Sequence, residues 1–263
     1  MKTMRFLMLL FAAIISLQLH AKIIEIGNFR NVLPHIDGET LLILDLDNTI
    51  MEPEDYLGSD QWFTALLSHF MENEKMGIHQ ALAIVVPKYN EAHKTATVKP
   101  VEQTTIEVIS KLQNKNVAIM GMTARGDDCI PFALKQLKSI NVDLEKTCVY
   151  KNRIPKLNLP HASEYKSGVL FCTCNSKGDA LVEFLNEVKK SNPKFVNPKK
   201  IVFIDDKEKN VKAIEDAANK LGIKFTGIRY GFLDEKVKAV ELTADMLAPF
   251  EIETAAAAAS ATT

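Results

Sequence analysis

The sequence predicts an α/β fold in which a parallel sheet is buried between layers of helices. Short, wholly apolar runs recur along the chain, as in LLIL (41–44), VAIM (117–120) and IVFI (201–204). Segments with apolar residues three and four apart separate them, the period of a half-buried helix. The polar clusters fall close after the apolar runs, at the ends where parallel sheets place their ligand sites.

The first 21 residues read differently from the rest. Lys2 and Arg5 precede the apolar stretch 7–17, and Gln18, Leu19, His20 and Ala21 break it. This is the layout of an export signal cleaved after Ala21. The run is too short for a membrane span, which needs about 20 residues. Residues 41–44 then form a buried strand ending at Asp45 and Asp47. Residues 61–75 and 77–94 read as two helices. Val101, Thr105, Val108, Ile109 and Leu112 stripe a third, and 116–123 forms a strand. A helix over 129–139 is entered through Pro131. KTCVYK (146–151) and SGVLFCT (167–173) read as two short strands. Lys177 opens a helix with Ala180, Leu181, Phe184, Leu185 and Val188 inward. KIVFIDD (200–206) is a strand, the helix after it carries Val211, Ile214, Ala218 and Leu221, and KFTGIRY (224–230) is a late strand. The low-complexity tail 253–263 is expected to be disordered. One domain over 22–252 accounts for the mature chain.

The 263 residues carry 32 basic and 33 acidic side chains, a net charge of −1. No general attraction to nucleic acid or to an anionic membrane follows. Of the four cysteines, Cys129, Cys148, Cys172 and Cys174, the even count permits two disulfides in an exported protein, and the spacing fixes no pairing. The favoured reading is small buried residues on strands, with Cys172 and Cys174 sharing one face. The six histidines lack metal-ligand spacing.

Four polar clusters stand out. Asp45-Leu46-Asp47-Asn48-Thr49 ends the first strand, Thr123 in GMTAR ends the second, Lys177 in NSKGDAL opens a helix, and Asp205-Asp206 with Asn210 ends a later strand. Alone, each is an ordinary cap or turn. Two acids two residues apart on a strand face the same way and repel, unless positive charge lies between them. A metal ion would supply that charge.

In this order the clusters resemble the motif set of the haloacid dehalogenase (HAD) superfamily of phosphohydrolases. The resemblance covers roughly 36–235. Exported acid phosphatases are a comparable group within it, and the stretch around FCTCNSKGDAL is similar to a little-characterised bacterial branch known only as a domain of unknown function. The resemblance implies a Rossmann-like three-layer fold and an exported, Mg²⁺-dependent phosphomonoesterase acting on a small-molecule phosphate ester. Asp45 would attack phosphorus and form an aspartyl-phosphate. Asp47 would protonate the leaving oxygen and then activate water. Thr123 and backbone N–H groups near Ala124 would hold the phosphoryl oxygens, and Lys177 would offset charge. Arg125 either pairs with an anionic substrate group or is exposed. Asp45, the Asp47 carbonyl and Asp206 would hold the metal. Asp206 is preferred to Asp205 because it lies four residues before Asn210, as in the family's last motif; Asp205 would orient a metal-bound water.

About 75 residues separate Asp47 from Thr123, more than a minimal connection needs. The surplus, 52–100, is a candidate cap that closes over the site and selects the substrate. Its Tyr56, Trp62 and Phe63 either stack on a substrate ring or pack the cap's own core. Two other functions fit the same residues: a phosphotransferase, and a secreted binding or effector protein that keeps the fold without turnover.

Overall fold

The computed structural model describes residues 23–248 and 250. The expected export signal (1–21) and the tail (253–263) lie outside them. Seven strands form the main sheet: β1 (Ile24–Ile26), β2 (Thr40–Leu44), β5 (Ala118–Thr123), β6 (Glu164–Lys166), β7 (Val169–Phe171), β8 (Lys200–Asp205) and β9 (Lys224–Tyr230). Their order is β1-β9-β8-β2-β5-β7-β6. Every pairing is parallel except that of the short edge strand β6 with β7.

The alternation of each strand makes two cores. Leu42, Leu44, Ile119, Val202 and Ile204 point to one face, where α3 (Gln103–Asn114) and α4 (Ile130–Ser139) cover them. Leu41, Ile43, Met120, Ile201 and Phe203 point to the other, under α5 (Lys177–Ser191) and α6 (Glu208–Leu221). A strand buried on both faces has to be apolar throughout, which is why β2 reads as a continuous hydrophobic run. The short helix α7 (Asp234–Lys238) follows β9.

β2 lies between β5 and β8, with Leu44 beside both Gly121 and Ile204. The chain leaves β2 towards β5 and later crosses back to β8 on the other side. That reversal opens a crevice at the carboxyl ends of the two central strands, where Asp45 and Asp205 emerge.

Between β2 and α3 the chain makes an excursion. β3 (Met51–Pro53) and β4 (Val98–Pro100) pair antiparallel at its base, and α1 (Asp60–Glu72) and α2 (Ile78–Thr95) fill it. Ser59 caps α1 by accepting the Trp62 N–H at 3.1 Å. Trp62, Leu66, Val85 and Phe250 form an apolar cluster separate from the two sheet cores, with Tyr56 and Phe63 packed against it. Trp62 is closed into that cluster and donates its indole N–H to the Met246 carbonyl at 3.0 Å.

Three local expectations need correction. Residues 146–151 are turn and coil rather than strand: Thr147 accepts the Ile119 N–H at 3.2 Å, but β7 takes the ladder position beside β5. β7 stops at Phe171, because Thr173 and Cys174 adopt positive φ (47° and 61°) and turn the chain towards α5. Cys172 is consequently buried and Cys174 exposed, so the two do not share a strand face. Cys129 lies in a 3₁₀ turn before α4, and all four cysteines are free thiols. Among the described residues, no helix is long and apolar enough to cross a membrane.

Candidate active site

Asp45 follows the last residue of β2 and donates its N–H to the Ile204 carbonyl at 2.9 Å, which fixes it beside Asp205. Lys177 lies between them. Its Nζ donates to Asp45 Oδ1 at 2.6 Å and to Asp205 Oδ2 at 2.7 Å, and all three side chains are buried. Burial alone would lower the ammonium's pKa, but the two carboxylates raise it above its ordinary value. Burial and then Asp205 push the Asp45 carboxyl upward, with Lys177 opposing them.

The sequence around Lys177 explains its reach. Cys172, Thr173 and Cys174 donate their N–H groups to the carbonyls of Thr123, Arg125 and Ala124, holding the loop after β5 against the end of β7. The Asn175 side-chain amide donates to the His161 and Cys172 carbonyls at 2.8 Å each. Ser176 caps α5, and Lys177 is its first residue. Gly178 lies against α6: a Cβ there would sit 2.2 Å from the Ala213 carbonyl oxygen. The close helix contact sets Lys177 over the crevice.

Asp205 and Asp206 are held differently. The Asn210 amide donates to both Asp205 oxygens at 3.0 Å, and the Lys207 N–H adds a bond at 2.8 Å. Asn210 thus holds Asp205 and makes no such bond to Asp206, the acid preferred as metal ligand on the spacing. The cause is that Asp205 still lies in β8 and faces the first turn of α6, while Asp206 sits one residue beyond the strand. The Asp206 carboxylate accepts the Asn48 side-chain amide at 3.2 Å, its one hydrogen bond among the described residues. Asn48 makes this contact from a left-handed conformation (φ 57°). Burial, then Asp205, raise the Asp206 carboxyl to about 7.

Asp45, Asp205 and Asp206 each offer an oxygen, all within 4.8 Å of one another. One ammonium serves two of these three carboxylates, and Asp206 has no such partner among its hydrogen bonds. This all-oxygen, negatively charged donor set suits a hard divalent cation, with Asp206 best placed to supply an uncommitted ligand.

Asp47 points elsewhere. Arg125 donates to it twice, Nε to Oδ2 at 2.9 Å and Nη2 to Oδ1 at 2.5 Å. Burial would raise this carboxyl, but the guanidinium holds it below the ordinary range. Arg125 is buried, at 4% exposure, which answers one of the alternatives open for it: it is not a solvated surface residue. Its Nη1 donates to Gln136 Oε1 at 2.7 Å, and Gln136 donates in turn to the Ala96 carbonyl at 3.0 Å, at the end of α2. Thr123 is buried at the end of β5, where its hydroxyl accepts the Arg125 N–H at 3.1 Å. Ala124 is exposed.

The structure thus joins Asp45, Lys177, Asp205 and Asp206 into one cluster, and Asp47 and Arg125 into a second pair. Sequence reasoning missed Gln136, Tyr89, His93 and Lys207. Gln136 left a trace, being a polar residue beside Ala133 and Leu137 on the buried face of α4. Lys207 donates to Asp60 Oδ1 at 2.6 Å and so ties the start of α1 to the end of β8. Nothing in the linear pattern announces that pairing.

A family described as "Protein of unknown function (DUF2608)" matches residues 22–261. The chain belongs to that family. This DUF2608 chain is 31% identical over 88% of its length, and 84% of the relative's, to a protein of Chlamydia pneumoniae named "Putative outer membrane protein". A protein of the same name from Chlamydia trachomatis is 26% identical over 74% of this chain and 70% of its own. Among solved structures, the chain is similar to a HAD family enzyme from Bacteroides thetaiotaomicron, at 13% identity, 74% and 96% coverage and a TM-score of 0.38. At that score the likeness carries no argument about this chain.

Proposed function

We propose that the protein is an exported phosphomonoesterase of the HAD type, working with Mg²⁺ through an aspartyl-phosphate on Asp45. The observation that carries this reading is Lys177 bridging Asp45 and Asp205 beside Asp206, at the crevice between the central strands. A buried nucleophilic carboxylate, a fixed cation and an acidic donor set are what phosphoryl transfer needs, since that chemistry is mostly positioning and charge neutralisation.

In the first step an Asp45 oxygen attacks phosphorus and the bond from phosphorus to the leaving oxygen breaks. For Asp47 to give that oxygen its proton it has to leave Arg125, which holds it ionised in the structure, and enter this step protonated. In the second step water attacks phosphorus, Asp47 takes back a proton, and the bond from Asp45 to phosphorus breaks. The net change is ester plus water to alcohol plus phosphate. Lys177 keeps Asp45 oriented and offsets phosphoryl charge, while the hydroxyl of Thr123 and the backbone N–H groups after it receive phosphoryl oxygens. Asp45, the Asp47 carbonyl and Asp206 would hold Mg²⁺, which supplies further charge neutralisation when bound. Asn210, Lys177 and the Lys207 N–H occupy Asp205, so its part is to orient Lys177. Residues 52–100 serve as the cap. The relatives' names and the leader-like residues 1–21 support export to the periplasm or beyond.

Phosphate release from a panel of phosphomonoesters tests the reading, run with Mg²⁺, with chelator and with Asp45→Asn. Metal-dependent release that the variant loses is expected. No release by folded, metal-loaded protein points instead to a binding role.

A further inference from the structure

Beside Asp47 a cleft of about 200 Å³ runs between the α1–α2 excursion and the loop after β5. If Asp47 protonates the leaving oxygen, this cleft receives the alcohol that departs. Its lining therefore selects the substrate, an inference that rests on the function proposed above.

The excursion's side of the cleft carries aromatic and apolar side chains together with Asp60 and Asn90. Phe63 and Tyr89 line it with ring centroids 4.8 Å apart and planes tilted by 57°, and Val86 lies beside them. The loop's side is acidic. Asp127 and Asp128 are exposed at the start of the 3₁₀ turn, and neither makes an ion pair among the described residues. The Asp127 carboxylate accepts the Asp128 N–H at 3.1 Å.

The charge balance is one-sided. Arg125, the one basic residue of the lining among the described residues, is held by Asp47 and Gln136. Asp60, a third lining carboxylate, is already matched by Lys207. Two carboxylates without an ion pair remain, and among the described residues no uncommitted cation lines the cleft with them. A leaving group carrying its own carboxylate or second phosphate would meet like charge here. One carrying an ammonium would meet two carboxylates and two aromatic side chains, surroundings that favour a cation. The volume limits it to a compact molecule.

We infer that the substrate is the phosphomonoester of a compact cationic alcohol, an amino alcohol or its quaternary ammonium form, whose ammonium group sits between Phe63, Tyr89 and the carboxylates of Asp127 and Asp128.

The test compares phosphocholine with 3,3-dimethylbutyl phosphate, its uncharged isostere, and with phosphoserine, using the full mature protein and Mg²⁺. The kcat/KM for phosphocholine is expected to exceed that for the isostere by about tenfold or more, one well-placed charge contact, and phosphoserine is expected to rank last. In the Asp127→Asn/Asp128→Asn double variant the ratio of phosphocholine to isostere falls towards one. Equal or better turnover of the isostere by the wild type, or a ratio the double variant leaves unchanged, overturns the inference. Calorimetric titration of choline alone reads the cleft without turnover. Binding that the double variant loses supports the cleft assignment even if no ester is hydrolysed, in which case only the phosphatase reading fails. Absence of choline binding in a protein that hydrolyses other esters overturns the cleft assignment and leaves the phosphatase reading standing.

Discussion

Arg125 and Asp47 meet as a two-point pair, at 2.9 and 2.5 Å, with the guanidinium buried and its remaining arm on Gln136. The proposed proton shuttle is thus held by a cation on the neighbouring strand's loop, and through Gln136 by the end of α2. Breaking a buried pair from one side leaves an uncompensated charge. Arg125→Ala is expected to cost roughly 3–5 kcal/mol of stability. Asp47→Ala is expected to cost a similar amount, and the double variant less than the two combined. Urea unfolding of the four proteins measures the coupling; additive losses would show that the pair is not an energetic unit.

His93 gives a pH dependence with a definite sign. It is buried, its two ring nitrogens have no hydrogen-bond partner among the described residues, and its ring packs on Tyr89 at 4.4 Å. Burial and then Arg125 lower its pKa to about 3, with Asp47 opposing them. The unfolded chain therefore binds a proton near pH 6.5 that the folded protein refuses until about pH 3. Its contribution to stability is complete above pH 6.5 and is lost as pH falls from there towards 3. The upper bound is roughly 5 kcal/mol. His93→Phe should flatten this limb of the stability–pH curve, followed by thermal melting between pH 4 and about 7.

Gly178 is a packing requirement with a functional consequence. The missing side chain lets α5 touch the backbone of α6 at Ala213. Gly178→Ala forces the helices apart at an expected cost of about 1–3 kcal/mol. It also moves the neighbouring Lys177, so phosphatase activity should fall more than the residual folded fraction accounts for. Circular dichroism and activity on the same samples separate the two effects.

Metal binding should be visible without turnover. A cation held by Asp45 and Asp206 in the folded state alone raises the melting temperature with concentration, by about 2.7 kcal/mol of stability at a hundredfold excess over Kd. Asp206→Asn should lose most of the Mg²⁺-dependent increase. Lys177→Met, which leaves two buried carboxylates without their ammonium, should be less stable than wild type and gain more from Mg²⁺. Thermal shift against Mg²⁺ concentration checks both.

Much of the fold was legible because each central strand is buried on both faces and each helix on one. The runs at 41–44, 116–123 and 200–206 became β2, β5 and β8, the last two a little shorter than expected, and the stripes through Val108 and Phe184 became α3 and α5. β3 and β4 left no pattern, because three-residue strands containing Pro53 and Pro100 are too short to alternate and arise from the excursion's closing geometry. The strand expected at 146–151 failed because composition cannot say which of two apolar segments wins the place beside β5. At the site, the D-x-D and the acid pair marked the crevice, but spacing alone does not say which acid Asn210 holds, and it holds Asp205. The contact between Asp47 and Arg125 links residues 78 positions apart, a relationship no local pattern encodes.

The central claim is that Asp45 carries the phosphoryl group. The mature protein would be mixed with a turned-over phosphomonoester and Mg²⁺, quenched in acid within a turnover, digested, and read by mass spectrometry. One added phosphoryl group is expected on the peptide containing Asp45, absent in Asp45→Asn and without Mg²⁺. Turnover with no phosphorylated peptide, or with the group on another residue, would contradict it.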